Sequence, residues 1–179
     1  MTKLMMGLLT ALFGIVALAV APAVAAQPAP SLRGPDQMFV LDVEQANRDE
    51  VALGQLAADK ASNPDVKSFA QIMVNDHEKL QDELADLPIV KEAKLPTAAM
   101  GAEAKALRVR LNRLSGHAFD QAYMNAMVQD HERDLQTFDR ATRNVSNPDL
   151  KHWAAVSMTV LREHLQRARK VEQELKSSR

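Results

Sequence analysis

A six-residue motif occurs twice in the chain, at residues 62–67 and again at residues 146–151. Both copies read Ser-Asn-Pro-Asp, followed by an aliphatic residue and a lysine. An asparagine can cap the free N–H groups of a helix, a proline suits the first helical position because it lacks an N–H group, and an early aspartate favours the positive end of the helix. Each copy therefore predicts a tight turn that leads directly into a helix.

Apolar residues recur every three or four positions on both sides of each motif, which is the period of an amphipathic helix. The strong breaks in this pattern are the two motifs, residues 88–96, and the pair Ser115 and Gly116. The sequence therefore predicts a shorter helix at about 101–114 and four long helices, at about 36–61, 64–87, 117–144 and 148–176.

The segment between the second and third long helices, residues 88–115, is too long for an ordinary turn and long enough to travel the length of a helix. We therefore predict that residues 36–176 form one all-α domain. Its expected arrangement is a ferritin-like four-helix bundle, built from two helical hairpins joined by a long crossover that contains the short helix. A simple up-and-down bundle is the alternative, and it would normally use shorter links.

The first 26 residues have the three parts of a secretory signal peptide. Lys3 is followed by an apolar stretch and then by small residues up to Ala26. We expect cleavage after Ala26 or Ala25, an extended tether at residues 27–35, and a periplasmic or secreted protein that is not inserted in a membrane. An uncleaved membrane anchor is the alternative, because the apolar stretch approaches the roughly 18 residues needed to span a bilayer.

Composition excludes several classes of protein. The chain has no cysteine, which excludes disulfide scaffolds and thiolate metal sites. Its net charge is -1, so it lacks the basic excess of a general nucleic-acid binder, and we expect no nucleic-acid partner. No glycine-rich phosphate loop or nucleophile elbow is present, so no particular reaction is indicated and a catalytic role stays open. An unidentified partner protein in the cell envelope is also left open.

Each of the four long helices carries a polar residue on, or beside, the stripe that should face the core. Glu50 is at the centre of the first stripe, His131 lies within the third, and His164 is at the centre of the fourth. On the second helix Asp76 and His77 flank the stripe, and either could face inward. At about 1.5 Å per residue, the candidates lie about 20 to 26 Å from a hairpin end, which places them in one layer.

Glu50, His77, His131 and His164 together suit one transition-metal ion, Zn, Fe, Mn or Cu, because imidazoles and carboxylates are ligands for such ions. The sequence equally allows a metal-free network in which Glu50 is hydrogen-bonded to one or two histidines. Such a module could sense acid, since imidazole titrates near pH 6.5. A metal-dependent oxidoreductase is a third possibility.

Other polar residues are interpreted without a special role. His117 and His152 are near helix starts and are expected at the surface. Asp120 is expected simply as an aspartate near the start of its helix, where the helix dipole favours a negative charge. Tyr123, one turn further on, could form a polar cluster with Asp120, but we expect no such role.

A set of residues spread over 38–175 carries a resemblance to a known family. The set comprises Glu50, Gly54, Leu56, Ala57, Phe69, Ala70, Met73, Asp76, His77, Ser115, Gly116, Phe119, Asp120, Tyr123, Asp130, His131, His164 and Leu165. It resembles a bacterial exported family of unknown function with a ferritin-like fold, whose members are often labelled predicted outer-membrane or periplasmic proteins. The resemblance implies a helical bundle in the bacterial envelope and no established reaction. Di-iron bundles use Glu-x-x-His pairs, and no glutamate here lies three residues before a histidine, so iron storage is not expected.

Overall fold

A computed structural model describes residues 31–177, which form six helices and, within that range, no strand. The helices are α1 (Gly34–Lys60), α2 (Pro64–Asp86), α3 (Pro88–Ala93), α4 (Ala102–Asn112), α5 (Gly116–Asn144) and α6 (Pro148–Ser177). The all-α class is as predicted, and α1, α2, α4, α5 and α6 begin and end within two residues of the predicted bounds. The predicted signal peptide, 1–26, and residues 27–30 of the predicted tether lie outside the described residues.

The two sequence motifs begin α2 and α6, as predicted. The side-chain oxygen of Asn63 accepts hydrogen bonds from the backbone N–H groups of Asp65 at 2.7 Å and Val66 at 3.3 Å. The side-chain oxygen of Asn147 accepts one from the N–H group of Leu150 at 2.9 Å. A proline follows each asparagine as the first helical residue, where no N–H group is needed. The local sequence therefore fixes where both helices start.

The short helix α3 is a correction to the sequence prediction, which treated 88–96 as a break. Pro88 ends α2 but is itself compatible with the first turn of a new helix. Ile89 and Val90 are buried in the same apolar cluster as Leu84, and this packing stabilises a helix too short to be recognised from periodicity. Lys94 then ends α3 with a left-handed backbone conformation, at φ 47°.

Hydrogen bonds between the hairpins give the directions of the long helices. α1 packs along α2 and α5 along α6, while α1 also contacts α5 and α2 contacts α6. Asp36, in the first turn of α1, accepts hydrogen bonds from the N–H groups of Ser146 at 2.7 Å and Asn147 at 2.9 Å, just after α5. The start of α1 therefore meets the end of α5, so these two helices are antiparallel. The segment between α2 and α5 consequently runs from one end of the long helices to the other.

Asp120 makes the equivalent bonds at the opposite end. Its carboxylate accepts hydrogen bonds from the N–H group and hydroxyl of Ser62 and from the N–H group of Asn63. Both Asp36 and Asp120 precede the asparagine of their own hairpin by 27 residues. Each hairpin thus supplies the aspartate that holds the turn of the other. The interpretation of Asp120 as an ordinary aspartate near a helix start is therefore wrong.

Two apolar clusters fill the interior. One, around the first half of α1, includes the mutually contacting rings of Phe39, Phe138 and Trp153. The other, around the second half of α1, includes Phe69 and Tyr123. On every long helix, the polar residue predicted from the sequence lies between the stretches that contribute to the two clusters. The polar residues therefore form a layer between two apolar cores.

Helix α4 is held against α1 at both of its ends. The carboxylate of Asp49 accepts a hydrogen bond from the N–H group of Gly101 at 2.9 Å, and the ammonium of Lys60 donates to the carbonyl of Leu111 at 3.0 Å. A Cβ atom at Gly101 would clash with the end of the Gln45 side chain, which would have to move to admit a larger residue. In residues 31–177, no helix has the length and apolar character needed to span a membrane.

The bonds between hairpins can be tested at Asp120. Replacing Asp120 by alanine should lower the free energy of unfolding by about 2 to 4 kcal/mol, because two backbone N–H groups and a hydroxyl lose a charged acceptor. The matched control is Asp65→Ala, which removes an exposed aspartate at the start of α2 and should have little effect. Urea unfolding of both variants measures the difference, and equal effects would show that the Asp120 bonds contribute nothing particular.

Candidate metal centre

Three imidazoles from three helices meet in the polar layer. His77 on α2, His131 on α5 and His164 on α6 are all buried, at 1%, 0% and 3% exposed. Their ring centroids are 5.3 to 5.6 Å apart, which makes a nearly equilateral triangle. One ligand nitrogen of each ring lies within 4.8 Å of those of the other two. We call these three residues the histidine triangle.

Each ring of the triangle has one nitrogen bonded to an acceptor outside it. Nδ1 of His131 is 3.0 Å from the carbonyl of Met127, Nδ1 of His77 is 2.9 Å from Oδ1 of Asn47, and Nε2 of His164 is 2.9 Å from the carboxylate of Asp76. Oxygens of these types can only accept, so the outer nitrogen of each ring carries the hydrogen. The other nitrogen of each neutral ring is left with a lone pair.

These lone pairs face one another. Nε2 of His131 lies 3.3 Å from Nδ1 of His164, and neither neutral ring has a hydrogen to donate across that gap. Nε2 of His77 is buried and has no hydrogen-bond partner among the described residues. Buried polar atoms are normally satisfied, and a cation shared by the inner nitrogens, either a metal ion or a proton, would satisfy these lone pairs.

Burial favours the neutral form of all three rings. It lowers the pKa of His131 to about 4, with a further contribution from His164. It also lowers the pKa of His77 well below its ordinary value. Burial also lowers the pKa of His164, although its hydrogen bond to the carboxylate of Asp76 opposes this effect. Neutral imidazole is the form that binds metal ions, so these rings are ready to act as ligands near neutral pH.

A group of carboxyls adjoins the triangle at His131. Glu50 is 1% exposed, and neither of its oxygens has a hydrogen-bond donor among the described residues. One ligand atom from each of Glu50, His131 and Asp134 lies within 4.8 Å of the others. Asp130 also reaches Glu50, and two carboxyls can bond only through a shared proton. We call Glu50, Asp130 and Asp134 the carboxyl cluster.

Burial and repulsion by neighbouring carboxylates raise the pKa values of Glu50 and Asp134. The pKa of Glu50 is raised well above its ordinary value, mainly by burial and then by the charge of Asp130. Burial, with a smaller effect of Asp130, raises the pKa of Asp134 to about 7. The hydroxyl of Tyr123 is also buried and has no hydrogen-bond partner within residues 31–177, and burial together with Glu50 raises its pKa. A cation placed among the carboxyls would relieve their repulsion.

The structure brings together all four residues proposed from the sequence, in two overlapping sets that share His131. It also resolves the ambiguity on α2. His77 faces the interior, whereas Asp76 lies at the edge of the layer and accepts a hydrogen bond from Nε2 of His164. Asn47 as the partner of His77, and Asp130 and Asp134 as members of the site, were not predicted from the sequence. His117 and His152 are exposed, as expected.

A protein-family model described as Domain of unknown function (DUF4142) matches residues 21–171. The chain belongs to this family. The match includes both the histidine triangle and the carboxyl cluster, and it ends before the last residues of α6. No curated protein and no solved structure matches the chain. Membership of DUF4142 assigns no activity, so the functional argument depends on the geometry of the layer.

The raised pKa of Asp134 predicts a pH-dependent change in stability. Its ordinary value is 3.8, so between about pH 4 and pH 7 the folded chain holds a proton that the unfolded chain has released. Asp134 therefore stabilises the fold less as the pH rises through this range. In metal-free protein, the stability of Asp134→Asn relative to wild type should increase from pH 4 to pH 7 and then level off.

Urea unfolding at a series of pH values measures this difference. The matched control is Asp139→Asn, on the same helix, which removes an exposed carboxylate paired with Arg143. A difference between wild type and Asp134→Asn that does not change with pH would contradict the buried environment described for Asp134.

Proposed function

We propose that the histidine triangle binds one transition-metal ion and that the protein serves as a metal-binding or metal-buffering protein. The observation that carries this proposal is the distance of 3.3 Å between Nε2 of His131 and Nδ1 of His164, whose lone pairs face each other. Two metal–nitrogen bonds of about 2.05 Å at a tetrahedral angle hold their nitrogens about 3.3 Å apart. The same separation is long for a hydrogen bond between two nitrogens.

The surroundings of the triangle also suit a metal. The outer nitrogens of the rings are bonded to Met127, Asn47 and Asp76, and such partners orient metal-binding histidines and fix their tautomers. The donor set fits Zn, Fe, Mn or Cu. Glu50 contributes a carboxylate next to His131, which balances the charge of a bound ion. Bound there, the ion would act as a Lewis acid, and we propose no reaction for it.

We also propose a ferritin-like four-helix bundle exported to the periplasm. The antiparallel pairing of α1 with α5 and the long segment between the hairpins support the ferritin-like arrangement. The charged, apolar and small-residue regions of 1–26 support export through a cleaved signal peptide. In this compartment the domain would meet metal ions directly from the surrounding solution.

Metal binding can be tested by elemental analysis and thermal melting of protein purified without a histidine tag. An ion present at about one hundred times its dissociation constant adds about 2.7 kcal/mol of stability, which a chelator should remove. His77→Ala and His164→Ala should lose both the ion and the response to chelator. His152→Ala, which removes an exposed imidazole, is the control and should keep both.

The alternative is a metal-free module whose buried network shares a proton. In that case wild type contains no metal, gains no stability from Zn²⁺, Mn²⁺, Fe²⁺ or Cu²⁺, and melts at the same temperature with and without chelator. Its stability would instead change with pH as the histidines titrate. This set of results would disprove the metal proposal and support the alternative.

Export is tested separately by intact-mass measurement of protein recovered from cell fractions. Because small residues precede Gln27, the mature chain should begin at Gln27 or Ala26 and appear in the soluble periplasmic fraction. Membrane-bound protein that retains Met1 would disprove cleavage and support the membrane anchor.

A further inference from the structure

A metal ion cannot reach the histidine triangle directly, because all three rings are buried. The surface offers a cleft of about 260 Å³ between α1, α4 and α5. Asp49 and Asp130 line this cleft together with Arg110 and Arg133, and the crossover helix α4 forms one wall. The cleft therefore brings solvent to Asp130, which belongs to the carboxyl cluster.

Oxygen ligands continue from the cleft into the interior. Asp130 reaches the carboxyl of Glu50, which is buried and, among the described residues, accepts no hydrogen bond from a backbone N–H group or from a basic or hydroxyl side chain. One carboxylate oxygen of Glu50 and one of Asp134 in turn lie within 4.8 Å of a ring nitrogen of His131. Buried carboxyls this close together cannot all be ionised unless a cation compensates for their charge. The position of Glu50, between a solvent cleft and the triangle, is where a passing cation would supply that compensation.

His131 belongs to both sets, but it can bind only one ion at a time. Its Nδ1 donates to the carbonyl of Met127, so only Nε2 is available as a ligand. A single nitrogen lone pair cannot serve two resident ions. The two sets are therefore better understood as successive positions of one ion than as two permanent sites.

The opposite face of the layer is less suited to uptake. Asp76 is the carboxylate on that side, and its side chain is 41% exposed. It is bonded to Nε2 of His164, the nitrogen that carries the hydrogen, so an ion held by Asp76 would face a donor rather than a lone pair. Asp76 thus orients the ring of His164, whereas Asp130 adjoins Glu50, whose oxygens are available as ligands.

We propose that Asp130, Glu50 and Asp134 form a loading site that takes a hydrated divalent cation from the cleft and passes it to the histidine triangle through His131. The cation exchanges water and carboxylate oxygens for imidazole nitrogens, and its charge does not change. Arg133, which is exposed and paired with Asp130, holds the outer carboxylate until an ion displaces it. This inference rests on the proposed binding of a metal by the triangle.

The test uses Co²⁺ as the probe, because its visible absorption changes when nitrogens replace oxygens as ligands. Stopped-flow mixing of metal-free full-length mature protein with Co²⁺ gives the association rate, and release to excess chelator gives the dissociation rate. A group that only passes the ion on changes both rates by the same factor and leaves the dissociation constant unchanged. A permanent ligand instead raises the dissociation constant.

We expect Asp134→Asn and Asp130→Asn to slow both association and dissociation about tenfold or more, since each removes a carboxylate that attracts the passing cation. The dissociation constant should stay within about twofold of wild type. Asp139→Asn on the same helix, which removes an exposed carboxylate paired with Arg143, is the control and should not slow association. Asp130 is partly exposed, so its variant keeps the test valid even if Asp134→Asn folds poorly.

Three results would overturn the inference while leaving metal binding intact. The first is unchanged rates in both variants, and the second is a raised dissociation constant caused by faster release alone. The third is equally slowed uptake in Asp139→Asn, which would show a general effect of negative charge rather than a loading site. If wild type binds no Co²⁺ at equilibrium, the proposed function itself fails and the loading site fails with it, before any rate is measured.

Discussion

The reciprocal bonds of Asp36 and Asp120 determine how the two hairpins are aligned. Each carboxylate binds the turn of the other hairpin, so neither hairpin can slide along the other without breaking charged hydrogen bonds. A shift by one helical turn would move a side chain by about 5.4 Å. That distance equals the spacing of the rings in the histidine triangle, so such a shift would separate His77 from its two partners.

Most of the helical framework could be predicted because its signals are local. The period of apolar residues gives the long helices, and the two Ser-Asn-Pro-Asp motifs give the turns. Counting residues from Asn63 and Asn147 also places the polar candidates at one depth, since the rise of a helix is constant. Helix α3 escaped prediction because six residues are too few for a period to show, and tertiary packing of Ile89 and Val90 stabilises it.

The chemistry of the layer depends on contacts that leave no local signal. Asp36 is bonded to Ser146, 110 residues later in the chain, and nothing near either residue indicates the pairing. Similarly, the tautomer of His77 is fixed by Asn47 on another helix. Sequence analysis could name residues that face inward, but only the packed structure shows which nitrogen of each ring is left with a lone pair.

The equal spacing of the two aspartates from their turns has a consequence for the symmetry of the molecule. A shift of 84 residues places one hairpin on the other at the turns, where Asp36 matches Asp120 and Asn63 matches Asn147. The same shift matches the imidazoles with residues of another kind: His131 with Asn47, His77 with Leu161, and His164 with Leu80. The shift also matches Glu50 with Asp134, so the framework and these two carboxyls follow the two-fold relation while the histidine triangle does not. Because two of the three rings come from the second hairpin and one from the first, neither half contains the whole triangle, and exchanging the halves would not reproduce it.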